Sequence, residues 1–130
     1  MRPLVFLLGW FLAGTVSADD FWVLQTGPEA VESIPLNPVQ PVPAWRGLYV
    51  DGEVRIWVYS TRSPQFFPPP GPQTRRIDGT PWTTVAVFPS AWTTTQQGAW
   101  FDRWVAEFKT LQSLPNPGWP ITFPSILKKG

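Results

Sequence analysis

From Trp45 to Ser60 the chain reads WRGLYVDGEVRIWVYS, with apolar and polar positions alternating on both sides of Asp51-Gly52. A period of two residues marks half-buried strands, and Asp-Gly between two such runs marks a hairpin, because the tight loop needs positive φ. With Asp51 and Gly52 as the loop, Val50 faces Glu53, Tyr49 faces Val54, Leu48 faces Arg55, Arg46 faces Trp57 and Trp45 faces Val58. Trp45, Tyr49, Val54, Ile56 and Val58 then share the core side, and Arg46, Leu48, Arg55, Trp57 and Tyr59 share the other.

The pattern returns in QTRRIDGTPWTTVAVF, where a turn at Asp78-Gly79 pairs Ile77 with Thr80, Arg76 with Pro81 and Arg75 with Trp82. Both hairpins therefore set an Arg against a Trp, a cation–π contact of about 0.5–1 kcal/mol at an exposed site. Pro81 has no N–H to give a ladder, which predicts an unpaired edge near the start of this strand.

The period changes to 3.6 residues in TTTQQGAWFDRWVAEFKTLQSLP. Trp100, Trp104, Phe108 and Leu111 form one stripe, flanked by Phe101 and Val105, with Asp102, Arg103, Glu107 and Lys109 opposite. This predicts an amphipathic helix packed on a sheet, with Thr94 and Gln97 at capping-box spacing and Pro115 ending it. FWVLQT near the N-terminus and WPITF near the C-terminus each predict a short strand, and PEAVES a turn or short helix. The expected fold is α+β: a small antiparallel hairpin sheet covered by one C-terminal helix, with Pro-rich extended arms. The alternative is a C-terminal βαβ unit, if WPITF pairs parallel to Val85–Phe88.

Two proline-rich stretches interrupt these patterns. IPLNPVQPVPAW, from Ile34 to Trp45, places prolines at 35, 38 and 41, so that polyproline II geometry puts Leu36, Val39 and Val42 on one edge. An ordered apolar edge predicts an arm lying on the body rather than a linker or a PxxP bait for a partner. RSPQFFPPPGP, from Arg62 to Pro72, cannot form a helix or a central strand. Its Phe66 and Phe67 either tuck under the sheet or form an aromatic knuckle that docks on a partner.

The N-terminus is MRPLVFLLGWFLAGTVSADD: one charge at Arg2, an apolar run from Leu4 to Val16, and small residues at Ser17 and Ala18 before two aspartates. That is the layout of a cleaved signal peptide, and the run falls short of the ~20 apolar residues of a spanning helix. The expected organisation is a signal peptide over 1–18, one Trp/Pro-rich domain over 19–124 and a tail over 125–130. The protein is expected to be exported, periplasmic or secreted, with no integral span after cleavage.

Loss of the leader removes Arg2 from ten Lys plus Arg against nine Asp plus Glu, leaving a neutral chain. Neutrality disfavours nucleic acid, whose binders carry a basic stripe, and it disfavours anionic membranes likewise. The sequence contains no Cys and no His, which excludes disulfides, thiol nucleophiles, Cys/His zinc sites and a Ser-His-Asp relay. No cofactor is expected. A hydrolase working with two carboxylates needs converging acids. Asp51 and Asp78 are explained by turns, while Asp102 and Glu107, five residues apart on a helix, point about 140° apart. We therefore expect a protein that is not an enzyme.

Tryptophan stands out, at 22, 45, 57, 82, 92, 100, 104 and 119 after the leader. Trp100 and Trp104 belong to the helix core. Trp57 and Trp82 fall off it, each beside an Arg, and with Tyr59 nearby they suit a partner surface or the C–H face of a sugar. The candidate binding residues are Arg46, Trp57, Tyr59, Phe66, Phe67, Arg75 and Trp82. The expected function is a structural or protein-interaction component of the cell envelope or extracellular space with a protein partner. A glycan-binding module is second, and a carboxylate hydrolase third.

Overall fold

A computed structural model of the chain describes residues 20–37, 40–67, 69–79, 81–114 and 121–129, with the Phe66 side chain excepted. The expected signal peptide lies outside the described residues. Strands β1 (Phe21–Val31), β2 (Ala44–Asp51), β3 (Val54–Thr61), β4 (Thr74–Asp78), β5 (Thr83–Val87) and β6 (Ile126–Lys128) form one six-stranded sheet, and helix α1 spans Thr94–Gln112. The sheet order is β4-β5-β3-β2-β1-β6 and every neighbouring pair is antiparallel. This is the expected α+β arrangement of an antiparallel sheet with a C-terminal helix.

The βαβ alternative is not what forms. After α1 the chain crosses to the far edge, where Ile126–Lys128 pairs antiparallel with β1. The last strand, Ile126–Lys128, thus lies within the segment expected as a tail. Residues 121–123 of WPITF form no strand; Ile121 and Phe123 turn into the core instead. PEAVES is not a turn either, since β1 runs on through Pro28 to Val31 beside β2, with register shifts between Leu24 and Thr26 and between Thr26 and Glu29. Gly27 sits at φ +102, and a Cβ there would collide with the Arg46 carbonyl oxygen.

The first hairpin forms, but its ladder is displaced by two residues. Asp51 pairs with Val54, Leu48 with Trp57, Arg46 with Tyr59 and Trp45 with Ser60. The loop is Gly52-Glu53, because Gly52 takes the positive φ (+61) at its first position and the Asp51 carboxylate is engaged by Lys129 Nζ at 2.8 Å. A displacement of two keeps every side chain on its face, so the predicted division into inner and outer residues survives.

In the second hairpin Asp78 pairs with Thr83 and Arg75 with Ala86, leaving residues 79–82 as the loop. Trp82 is therefore not opposite Arg75. Pro81, with no N–H for a ladder, is expelled into the loop, which closes with Gly79 N donating to Trp82 O at 3.0 Å. β5 lies between β4 and β3, so the edge strand is β4, not β5 as Pro81 suggested.

The helix begins one residue earlier than the capping pattern predicted. Thr93 is the N-cap: Gln96 N donates to Thr93 Oγ1 (3.1 Å) and Thr93 N to Gln96 Oε1 (2.8 Å). Gln97 cannot serve, because it is buried and its amide donates to Pro72 O at 3.0 Å.

The core on the helix side joins Tyr49, Ile56, Val58 and Ala86 of the sheet to Trp100, Phe101, Trp104 and Phe108 of α1. Trp104 is fully buried, stacked on Phe108 at 4.7 Å and edge-on to Phe123 at 5.4 Å. Its indole N–H donates to Tyr49 Oη (2.8 Å), which donates in turn to Pro124 O (2.7 Å). Both polar groups are thereby satisfied where an unmade bond would cost about 1–3 kcal/mol. Gly47 makes room for this cluster, since a Cβ there would lie 2.6 Å from the Phe123 ring.

A second apolar cluster lies on the opposite face: Ile34, Val42, Ala44, Tyr59, Phe67 and Val85. The Ile34–Trp45 arm covers it, but by folding back rather than as one straight polyproline helix. Asn37 N bonds Ile34 O (3.1 Å) and Val42 N bonds Glu32 O (3.0 Å). Of the expected edge, Val42 is fully buried, Leu36 packs at the cluster's margin, and Val39 lies outside the described residues.

Candidate functional site

Strand alternation brings three of the expected binding residues to the second sheet face and sends others away. Arg46 and Tyr59 are ladder partners there. The guanidinium lies 5.0 Å from the Trp57 ring centroid, so the predicted Arg–Trp contact exists, made on a diagonal rather than directly across. Arg46 also pairs with Glu29 at 3.3 Å. Trp57 is half-buried. Tyr59 is buried, which raises its phenol above the ordinary range while the Arg46 charge opposes the rise.

Phe67 is buried in the second cluster, its carbonyl accepting from Arg76 Nη1 at 3.1 Å. It tucks under the sheet and is not an exposed knuckle. Phe66 ends a short 3-10 turn at Pro64–Phe66, and its side chain is not described. Arg75 faces the helix side instead, where Nη2 donates to Thr94 O at 2.7 Å. Trp82 belongs to the helix-side core, and the cation on its ring is Arg62, at 4.7 Å. The seven residues therefore do not form one surface.

What the sequence reading missed lies at the other end of the second face. Val23 pairs with Ile126 of β6 on one side and with Val50 of β2 on the other. Ile126 is 52% exposed and Val23 40%, and they are two of the three exposed large hydrophobics among the described residues. Val50 is half-buried, and Arg55 continues the row. Trp57 lies diagonal to Val50, one step along β3. The result is an apolar row across three strands, next to the Arg46–Trp57 stack. The cluster sealed by the arm is at the other end. A signal was present in FWVLQ: with Trp22 and Leu24 inward, Val23 is an apolar residue on the outer parity.

The charges around this row are uneven. Arg55 Nη1 bonds only a backbone carbonyl, that of Glu53, at 3.0 Å. Lys128, two residues along from Ile126 on the same side, is exposed. Neither enters an ion pair among the described residues. The carboxylates of Glu29, Asp78 and Asp51 are held by Arg46, Arg76 and Lys129. Among the described residues no group of three or more acids gathers to hold a metal, and no helix is long and apolar enough to cross a membrane.

No protein-family model matches the chain, and neither a curated protein nor a solved structure shows significant similarity to it.

Proposed function

We propose that this is an exported, non-enzymatic interaction protein of the cell envelope or extracellular space, and that it holds a protein partner on the open end of its second sheet face. The observation that carries this is the contiguous row Ile126, Val23 and Val50, left uncovered while the Tyr59–Val85 end of the same face is covered by the arm and by Phe67 of the proline-rich loop. Adjacent exposed hydrophobics on a sheet are a feature of interaction surfaces. Arg55 and Lys128 border the row without carboxylate partners, so the matching partner segment is apolar with acidic side chains at its margin. Such charges steer encounter and select the partner. Export is supported by the apolar run and small residues ahead of Asp19.

Substitution tests the surface without touching the core. Ile126→Glu and Val23→Glu place a carboxylate in the centre of the contact, where an unpaired charge opposes burial. Both variants are expected to melt with the wild type and to lose a stoichiometric protein partner on recovery of the tagged protein from its native envelope. Equal recovery by wild type and both variants, or recovery of polysaccharide in place of protein, contradicts the proposal.

A further inference from the structure

Strand β6 closes the sheet at one edge. Leu24 N donates to Ser125 O at 2.9 Å and Lys129 N to Asp20 O at 2.9 Å, with Leu127 paired to Trp22 between them. Backbone bonding alternates along an antiparallel strand, so Ser125, Leu127 and Lys129 turn their main-chain groups to β1. Ile126 and Lys128 turn theirs away from the sheet, and neither backbone is bonded on that side among the described residues. Their side chains lie on the second face, beside the open row.

The helix side of the same edge is hollow. A cleft of about 240 Å³ separates β6 from the first turns of α1, and its lining includes Trp22, Trp92, Trp100 and, from β6, Leu127 and Lys128. Successive residues of a strand belong to opposite faces, so a cleft that touches both wraps the free edge. Its walls are indoles set edge to face: Trp22 and Trp92 are 5.7 Å apart at 70°, and Trp22 and Trp100 are 6.2 Å apart at 88°. The charged side chains of the lining are Arg103, Lys128 and Lys129, with no acid among them. Lys129 is tied to Asp51, while Arg103 and Lys128 enter no ion pair among the described residues.

We propose that the partner donates an extended segment that adds to β6 as a further antiparallel strand and places one apolar side chain in the cleft. This rests on the function proposed above and names the form the partner takes there. In such an addition main-chain bonds, here to Ile126 and Lys128, supply affinity, and a pocket for the alternate side chain supplies selectivity. Antiparallel pairing sets the order: an acidic residue opposite Lys128, the apolar anchor opposite Leu127, then an apolar residue opposite Ile126 that lengthens the row through Val23 and Val50. A short edge strand carrying Lys resists indiscriminate pairing, and an acidic residue opposite converts that Lys from a guard into a contact.

The probe is the acetylated, amidated peptide Thr-Glu-Leu-Val-Thr, titrated into the purified protein while amide and indole resonances are followed by NMR. Saturable shifts of the Trp22 and Trp92 indoles are expected, with slowed hydrogen exchange at the Ile126 and Lys128 amides. Serine in place of the peptide's leucine is expected to weaken binding about tenfold or more. Lys128→Pro removes an outward N–H that the β1 ladder does not use, a change an edge strand tolerates, and it is expected to weaken binding more than Lys128→Ala, which removes the charge alone. Equal affinity for the serine and leucine peptides, equal affinities of Lys128→Pro and Lys128→Ala, or no saturable shift up to roughly 5 mM peptide overturns the proposal. If Val23→Glu loses the native partner while the Ile126 and Lys128 amides of the wild-type complex exchange as fast as in the free protein, the added strand is overturned and the proposed function stands.

Discussion

On the helix side of the sheet, Tyr49, Ile56 and Val58 are completely buried under Trp100, Phe101, Trp104 and Phe108. On the other side of the same strands, Tyr59 and Val85 are buried under a folded-back arm and a proline-rich loop, while Val23 and Ile126 stay exposed. The difference follows from the covering element. A helix of 19 residues presents a continuous aromatic stripe long enough to cross the sheet, whereas an arm pinned by its own turns at Ile34–Asn37 and Glu32–Val42 reaches only the strands beside it. One face is the stabilising face, and the other is divided between a small core and an open surface.

The largest effects belong to the helix side. Trp104→Ala removes a fully buried ring together with the donor to Tyr49 and is expected to cost about 3–5 kcal/mol, enough to unfold a domain of ordinary stability. Trp82→Ala, at 6% exposure in the same core, is expected to fall in the same range, about 3–5 kcal/mol. Chemical denaturation of the two variants checks both, and a loss at Trp82 no larger than that at Trp57 breaks the comparison.

Tyr49→Phe is a smaller and more pointed change. It keeps the ring and leaves Trp104 Nε1 and the Pro124 carbonyl without a partner, at a cost of about 1–3 kcal/mol. Burial raises the Tyr49 phenol above its ordinary value, with the Trp104 hydrogen bond acting the other way. The neutral phenol is therefore the form the fold favours. Its contribution is fully present below about pH 10, the unfolded value, and is lost as pH rises beyond it. Alkaline melts are expected to show a shallower decline for Tyr49→Phe than for wild type, the remainder coming from Tyr59, raised by its own burial. Parallel declines contradict the account.

On the second face the expected costs shrink. Trp57→Ala removes a half-buried ring and the Arg46 contact and is expected to cost about 1 kcal/mol. Ile126→Glu, at the open end, is expected to stay within about 0.5 kcal/mol of wild type. A thermal-melt series ordered Trp104, Tyr49, Trp57, Ile126 sharpens the comparison, and any inversion between the two faces undoes it.

Much of this division was legible in the sequence. The 3.6-residue stripe located α1, and the alternation around Asp51-Gly52 put each of Trp45–Tyr59 on its observed face, since face depends on parity alone. Register was not legible, because it depends on which loop position Gly52 occupies and on Lys129, distant in sequence, drawing Asp51 into the ladder. Trp82 was misplaced for a related reason: Pro81 lengthened its loop and turned the ring under α1. The open row was hidden because it is completed by Ile126–Lys128, too short a strand for any period to mark.

The absence of cysteine from this chain allows a direct measurement of the open face. Single substitutions Val23→Cys, Ile126→Cys and Val58→Cys, probed with a thiol reagent in the purified protein and again in the envelope fraction where the proposed function locates it, report exposure one position at a time. The account predicts rapid labelling of Val23→Cys and Ile126→Cys in the purified protein, protection of both in the envelope fraction where the partner is bound, and protection of Val58→Cys in both. Protection of positions 23 and 126 in the purified protein, or equal labelling of them in the two preparations, contradicts the claim that this end of the sheet is the partner's surface.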